Sequence, residues 1–175
     1  MDRYREQVQA HAESGRTGRA SAPVFNRSVA HAAIIIEILF KESRNEVDIL
    51  TGCLNESVYG KPEVIAACQE FICSGGKLRI LIERKGEFSG ENHPMISKIK
   101  CMNGNGRVDI RFVPADIQGL YTYHFAVCDG KSYRMEGDRT KTEAIAQFGD
   151  EQISSSLVER FNELWELSNK TAEKN

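Results

Sequence analysis

The stretch GLYTYHFAVCDGKSYRMEGDRT, residues 119–140, carries a histidine among hydroxyl and carboxyl side chains in the pattern of a β-hairpin. Two alternating segments flank the turn sequence DGKS, which predicts a strand, a tight turn and a second strand. Side chains alternate along a strand, so Thr122, His124 and Ala126 lie on one face. A protonated imidazole binds anions and a neutral one can attack an electrophile. His124 is therefore the first candidate for chemistry in this chain.

Three uses of His124 are open from the residues alone. The imidazole could be partly buried and hydrogen-bonded to a carboxylate such as Glu143 or Asp138. It could instead bind a phosphate or a nucleotide, or serve a rewired catalytic site. An unperturbed histidine titrates near about pH 6.5, and nearby carboxylates would raise its pKa and favour the cation.

The composition is that of a soluble globular protein of one domain. Hydrophobic residues make up 41% of the 175 residues, charged residues make up 27%, and the net charge is −2. A chain that binds nucleic acid over its whole surface would be basic, so only a local basic groove is compatible with this balance. The five cysteines show no Cys-x-x-Cys spacing, which favours reduced thiols over a metal site or disulfides. We therefore expect no metal and no cofactor.

The sequence lacks the pattern of a membrane-spanning segment. Its longest apolar run, AHAAIIIEILF, is interrupted by Glu37 and is shorter than the roughly 18 residues that a span requires. The N-terminal residues include no apolar stretch typical of a secretory signal. These features predict a cytoplasmic protein with no membrane partner.

The order of predicted elements indicates an α/β domain. Residues 1–24 contain the linker-like stretch ESGRTGRASAP and are predicted to be an arm that is weakly structured by itself. Residues 25–170 alternate helices and strands before the hairpin, and residues 171–175 are a C-terminal tail. Early alternation implies parallel strands with crossover helices, whereas the hairpin adds antiparallel pairing. We therefore predict a mixed β-sheet flanked by helices on both faces.

Several phrases in this order resemble the phospholipase D superfamily, in the small form where one chain carries half of the catalytic unit. The resemblance covers about residues 27–168. EVDILTGCLN is similar to the first strand of the family, VIAACQEFICSGGKLRILIER to its helix–Gly–basic–strand segment, and VDIRFVP to the strand before the catalytic hairpin. DGKSYRMEG is similar to the turn and strand that follow the active-site lysine, and SSLVERFNELWELS to the closing helix.

The family motif is His-x-Lys-x4-Asp, then Gly-Ser-x-Asn, then a downstream Glu. The histidine attacks phosphorus, and the lysine and asparagine hold the phosphate oxygens. If Asp129 is the motif aspartate, Thr122 stands at the nucleophile position and His124 at the lysine position. The remaining motif positions, in order, are then occupied by Gly137, Asp138, Thr140 and Glu143.

A second register takes His124 itself as the nucleophile. It leaves Ala126 at the lysine position and Lys131 at the aspartate position, and it misplaces the turn relative to the strand. We prefer the first register. In that register the residues matching the catalytic positions are Thr122, His124, Asp129 and Glu143, and those matching the phosphate-binding positions are His124, Gly137 and Thr140.

The resemblance implies a phospholipase D-like domain whose catalytic motif is degenerate. Such a domain would act as a binding or assembly subunit, with nucleic acid or a protein as its partner, and the half-unit form implies a homodimer. The alternative is an active phosphodiesterase or nuclease with a rewired site that uses His124. A third hypothesis keeps only the fold and assigns the function to another surface, including residues 1–24.

Overall fold

A computed structural model of the chain describes residues 2–102, 106–119, 123–138 and 143–170. Within these residues, six α-helices surround one mixed sheet of eight strands. The helices are α1 (Asp2–Arg16), α2 (Val29–Glu42), α3 (Glu56–Tyr59), α4 (Pro62–Cys73), α5 (Pro94–Ile99) and α6 (Glu151–Leu167). The strands are β1 (Val24–Asn26), β2 (Glu46–Thr51), β3 (Lys77–Ile82), β4 (Val108–Phe112), β5 (His124–Cys128), β6 (Ser132–Glu136), β7 (Ala144–Gln147) and β8 (Asn169–Lys170).

The strand order across the sheet is β1-β7-β6-β5-β2-β3-β4-β8. Strands β2, β3 and β4 are parallel to one another, and every other neighbouring pair is antiparallel. Strand β2 therefore has a parallel neighbour on one side and an antiparallel neighbour on the other. Strand pairing therefore changes from parallel to antiparallel at β2, and the candidate site lies at the carboxyl end of this strand.

Both faces of the sheet are covered, because the central strands are apolar on both sides. Ile49 and Ile80 belong to the core that contains α2 and α4, whereas Leu50 and Leu81 belong to the core under α6. On the α6 side, Phe161 packs edge-on against Phe125 at 6.4 Å between ring centroids. The predicted fold class, a mixed sheet with helices on both faces, is confirmed.

Three of the helices begin at residues that are typical of a helix start. The Ser28 side chain accepts a hydrogen bond from the backbone of His31 at the start of α2, Pro62 is the first residue of α4, and Asp150 caps α6 through the backbone of Ile153. Each device satisfies or removes an amide donor that a helix start leaves without an intrahelical partner.

The N-terminal segment is part of the packed structure over most of its length. Val8 and Ala12 of α1 are buried in the core against α2, and β1 forms one edge of the sheet. Gly15 allows α1 to approach Phe148 closely, since a Cβ atom at position 15 would lie 2.7 Å from Cβ of Phe148. The linker-like stretch that predicts an arm at 1–24 begins inside α1, and only residues 17–23, between α1 and β1, lie outside helix and strand.

Candidate functional site

A cavity of about 190 Å³ lies at the carboxyl end of β2, beside the first residues of β5. In open α/β sheets this is where ligands bind, in the crevice outside the strand ends at the point where the strand order changes direction. The walls come from α2, α3, the loop after β2, the end of β3, and the β5–β6 hairpin. Its lining residues are Ala32, Leu50, Thr51, Gly52, Cys53, Asn55, Val58, Tyr59, Arg84, His124, Phe125, Arg134 and Glu136.

His124 is buried in the wall of this cavity between two carboxylates. Its Nε2 atom lies 3.0 Å from Oε2 of Glu83, and its Nδ1 atom lies 3.6 Å from Oε2 of Glu136. Glu83 directly follows β3 and is itself held by the backbone N–H of Gly119, which donates to Oε1 at 3.0 Å. Both ring nitrogens therefore face a carboxylate.

The charge of His124 is set by these neighbours. Burial by itself lowers the pKa of the imidazole, but the polar contacts with Glu136 and Glu83 and the negative charges of both groups raise that pKa above the ordinary value. Burial conversely raises the pKa of Glu136, yet His124 and Arg134 together hold it below its usual range. The cationic imidazole and the ionised carboxylate stabilise each other.

Arg134 extends the same network towards the edge of the sheet. It lies two residues before Glu136 on β6, so both side chains point to one face. Its Nη1 donates to Oε1 of Glu136 at 2.7 Å, and its Nε donates to Oδ1 of Asn26 on β1 at 3.0 Å. The guanidinium and the amide of Asn26 are both buried. The hairpin and the edge strand are thereby joined by polar contacts behind the cavity.

Arg84 lies at the rim of the cavity, with its guanidinium group next to Gly52 in the segment that follows β2. A Cβ atom at position 52 would approach its guanidinium atoms to 2.6–2.7 Å, so only glycine leaves room for this contact. The Nε atom of Arg84 donates to Oε2 of Glu87 at 2.8 Å on the exposed side. Gly52 and Glu87 together fix the orientation of the arginine.

Asp129, the residue that anchors the motif register, lies at the other end of β5 from His124. Its carboxylate accepts hydrogen bonds from the backbone N–H groups of Arg44, Asn45 and Glu46 at 2.7, 2.9 and 2.8 Å. It also occupies the turn with a φ of 52°, followed by Gly130 at 62°, and the backbone N–H of Lys131 closes this turn on the carbonyl of Cys128 at 2.9 Å. In this structure Asp129 holds the hairpin to the start of β2.

The other predicted site residues divide into two groups. Gly137, Asp138 and Glu143 line a separate groove of about 300 Å³ beside β1 and β7, together with Phe25 and Ile145. Thr122 and Thr140 lie outside the described residues. The carboxylates that contact His124 are Glu83 and Glu136, whereas the sequence pointed to Glu143 or Asp138.

Sequence reasoning missed four functional candidates: Glu83, Arg84, Arg134 and Glu136. The hairpin predicts a partner for His124 on the second strand, but a two-residue Asp-Gly turn would make that partner Met135, whereas the observed pairing of Cys128 with Ser132 makes it Glu136. No comparable signal identified Glu83, since it reaches His124 from another strand 41 residues away.

The described residues contain no group of three or more His, Cys, Asp or Glu that could hold a metal ion. In the same part of the chain, no helix has the length and apolar character needed to cross a membrane.

Solved structures with a similar fold come from several kinds of protein. TrmBL2, described as an archaeal chromatin protein with a novel mode of DNA binding, has a TM-score of 0.63 and 16% identity, over 97% of this chain and 66% of that one. Nuc from Salmonella typhimurium, a phospholipase D family member, has a TM-score of 0.60 and 11% identity, over 85% of this chain and 98% of that one. The phosphatidylserine synthase of Haemophilus influenzae Rd KW20 has a TM-score of 0.57 and 14% identity, over 86% of this chain and 39% of that one.

The fold is therefore that of the phospholipase D-like class. Residues 27–174 match the family described as a domain of unknown function, DUF7931, and the chain belongs to this family. No curated protein matches the sequence. The match begins after α1 and β1, so the elements that form the N-terminal edge of the structure precede it.

Proposed function

We propose that this protein is a catalytically inactive phospholipase D-like domain that acts as a binding and assembly subunit. The observation that carries the proposal is the engagement of both ring nitrogens of His124 by carboxylates. A nitrogen that attacks phosphorus needs a free lone pair, which a protonated imidazole lacks. The raised pKa of His124 favours that protonated form.

The electrostatics of the site also disfavour the binding and cleavage of a phosphodiester. A phosphodiester that approached Nε2 of His124 would have to displace Glu83 and would meet the negative charge of Glu136 at close range. In the preferred motif register, Thr122 replaces the nucleophilic histidine, and a neutral hydroxyl is a weak nucleophile without an adjacent base. The roles matched to Thr122, Thr140, Gly137 and Glu143 remain predictions.

Nucleic acid is the partner class that the comparisons favour. TrmBL2, which has this fold, is described as a chromatin protein that binds DNA. The shared fold at 16% identity supports a binding role for the domain without requiring a catalytic one. The net charge of −2 means that such a partner would contact a local surface of the chain.

We also infer a homodimer in which the His124 ends of the β5 strands lie near the twofold axis. The match extends over 98% of Nuc and 99% of NucT from Helicobacter pylori but only 39% of the synthase, as expected for a chain that is one half of a larger unit. At the same end of the sheet, Phe25 and Ile145 lie directly opposite each other and leave apolar surface exposed. Exposed apolar surface of this kind is typical of an interface.

Hydrolysis of bis-p-nitrophenyl phosphate, single-stranded DNA and RNA, measured in EDTA, tests the proposal. We expect the wild type to release no more product than His124→Ala. Arg160→Gln, on the exposed face of α6, is the matched control for a change of one polar side chain. Metal-independent turnover that is lost in His124→Ala and kept in Arg160→Gln would establish the alternative, an active phosphodiesterase that uses His124.

A further inference from the structure

The cavity beside His124 is lined by polar side chains whose charges compensate one another. We propose that it binds a small organic ligand with no net charge that offers both a hydrogen-bond acceptor and a donor, a zwitterion being the simplest case. This inference rests on the proposed function, since it names the ligand class of a domain that binds without cleaving.

In the part of the chain that the structure describes, the three cations that line the cavity each have a carboxylate partner. Arg84 pairs with Glu87 at 2.8 Å, Arg134 pairs with Glu136 at 2.7 Å, and protonated His124 pairs with Glu83 at 3.0 Å. Among the described residues, the formal charges of these three pairs therefore cancel. A ligand with a net charge would add an uncompensated charge beside His124 and Arg134, which are both buried, and such a charge is costly to bury.

The walls offer complementary polar groups at two separate places. Arg84 at the rim presents N–H donors in a planar fork, a geometry that matches a carboxylate. Glu136 is the more exposed of the two carboxylates around His124, with 22% of its side chain accessible against 4% for Glu83. Glu136 can therefore accept from an ammonium group while Arg84 donates to the other end of the ligand.

The rest of the wall suits a short hydrocarbon group. Ala32, Leu50, Val58 and Phe125 line the cavity between the polar groups. Ligand pockets commonly combine such apolar walls with a few polar groups that fix orientation.

The volume limits the size of the ligand. An apolar cavity of about 150 Å³ accommodates benzene, which has six non-hydrogen atoms. The present cavity of about 190 Å³ therefore suits a ligand of about six to eight such atoms. A whole nucleotide exceeds this volume, so a nucleic-acid partner would place at most one of its groups in the cavity.

Four probes of similar or smaller size separate the charge classes: 2-aminobutyrate, butyrate, butylamine and inorganic phosphate. Binding to the full chain is followed at pH 6.0 by calorimetry and by chemical shifts of backbone amides, under conditions in which His124 is protonated. We expect 2-aminobutyrate to bind at least about tenfold more tightly than the other probes, the difference expected for one charge-assisted hydrogen bond. Equal or tighter binding of butyrate or phosphate would show an anion site, and no binding of 2-aminobutyrate up to about 50 mM would also overturn the proposal.

Two variants test which residue binds each charged end of the ligand. Arg84→Gln should weaken 2-aminobutyrate about tenfold, and Glu136→Gln should weaken 2-aminobutyrate while strengthening butyrate. Arg160→Gln should leave both affinities unchanged, and amide spectra report whether each variant is folded. Unchanged binding in folded Arg84→Gln would contradict the assignment. The hydrolysis assay is independent, so an inactive protein that fails to bind the zwitterion refutes only this inference.

Discussion

His124 and Glu136 lie directly opposite each other in the β5–β6 hairpin, with Nδ1 of the imidazole 3.6 Å from Oε2 of the carboxylate. Directly opposed side chains in an antiparallel pair point to the same face, so the ladder itself imposes this contact. Glu83 then reaches the second ring nitrogen from the end of β3. The family resemblance assigns the position of His124 to a phosphate-binding lysine. Here the charge of His124 is instead compensated by two carboxylates of the same chain.

The stability of the protein should fall as the pH rises above about 6.5, the ordinary pKa of histidine in an unfolded chain. The folded-state pKa of His124 is raised, so its stabilising charge is fully present below that value and is lost as the pH passes the folded pKa. The charged groups facing the imidazole are Glu83 and Glu136, and Arg134 adjoins Glu136. Urea unfolding of wild type and His124→Gln between pH 5 and 9 measures the effect.

The pH dependence of unfolding should be flatter above about pH 6.5 in His124→Gln than in wild type. His11→Gln is a suitable control, because it removes a histidine from α1 outside the site. Identical pH profiles for wild type and His124→Gln would mean that His124 has the same pKa in the folded and unfolded chains.

Asp129→Ala should lower the free energy of unfolding by about 2–4 kcal/mol, because three backbone N–H groups lose their acceptor and a Cβ-bearing residue without a polar side chain must keep a positive φ. Asp129→Gly loses the same hydrogen bonds but tolerates the backbone conformation. It should therefore be less destabilised than Asp129→Ala by about 1 kcal/mol. Denaturant titration measures all three proteins, and an Asp129→Ala variant as stable as wild type would exclude this anchoring role.

Gly15→Ala should destabilise the docking of α1 by about 1–3 kcal/mol. The added Cβ would lie 2.7 Å from Cβ of Phe148 and 2.8 Å from its carbonyl carbon, so one of the two segments must shift. Gly86→Ala is the matched control, since a Cβ there meets nothing within 4 Å. Thermal unfolding and proteolysis of residues 17–23 check the expectation. Equal behaviour of the two variants would show that α1 is not held by this contact.

Light scattering at micromolar concentration should show a dimer for wild type. Phe25→Glu should shift the population towards monomer, because Phe25 is 60% exposed and lies beside the exposed Ile145 at the edge of the sheet. Leu167→Glu removes an equally exposed apolar side chain, at 59%, from the last turn of α6 and should remain dimeric. A clean monomer for wild type, or the same loss of dimer in both variants, would contradict the proposed interface.

The local patterns of the sequence were sufficient for the fold class and for several of its elements. Ser28 and Asp150 mark helix starts through contacts three residues along the chain, and Pro62 marks one through its own ring, so these signals depend on neighbouring residues alone. Leu81, which breaks the alternation of its strand, is buried under α6 because β3 lies in the interior of the sheet. Helix–strand alternation followed by a hairpin implied the mixed sheet, since chain order restricts how strands can pair.

The tertiary structure alone decided which side chains meet at His124. Glu83 is 41 residues from His124 along the chain and becomes its neighbour only because β3, β2 and β5 are adjacent in the sheet. Asp129, only five residues along the chain, follows the far end of β5 and is therefore remote from His124, since a strand advances about 3.3 Å per residue. The spacing of motif residues along one strand determines which face of the sheet each side chain occupies and how far apart the residues lie. The partners supplied by other strands, and with them the charge of the site, depend on the three-dimensional order of the sheet.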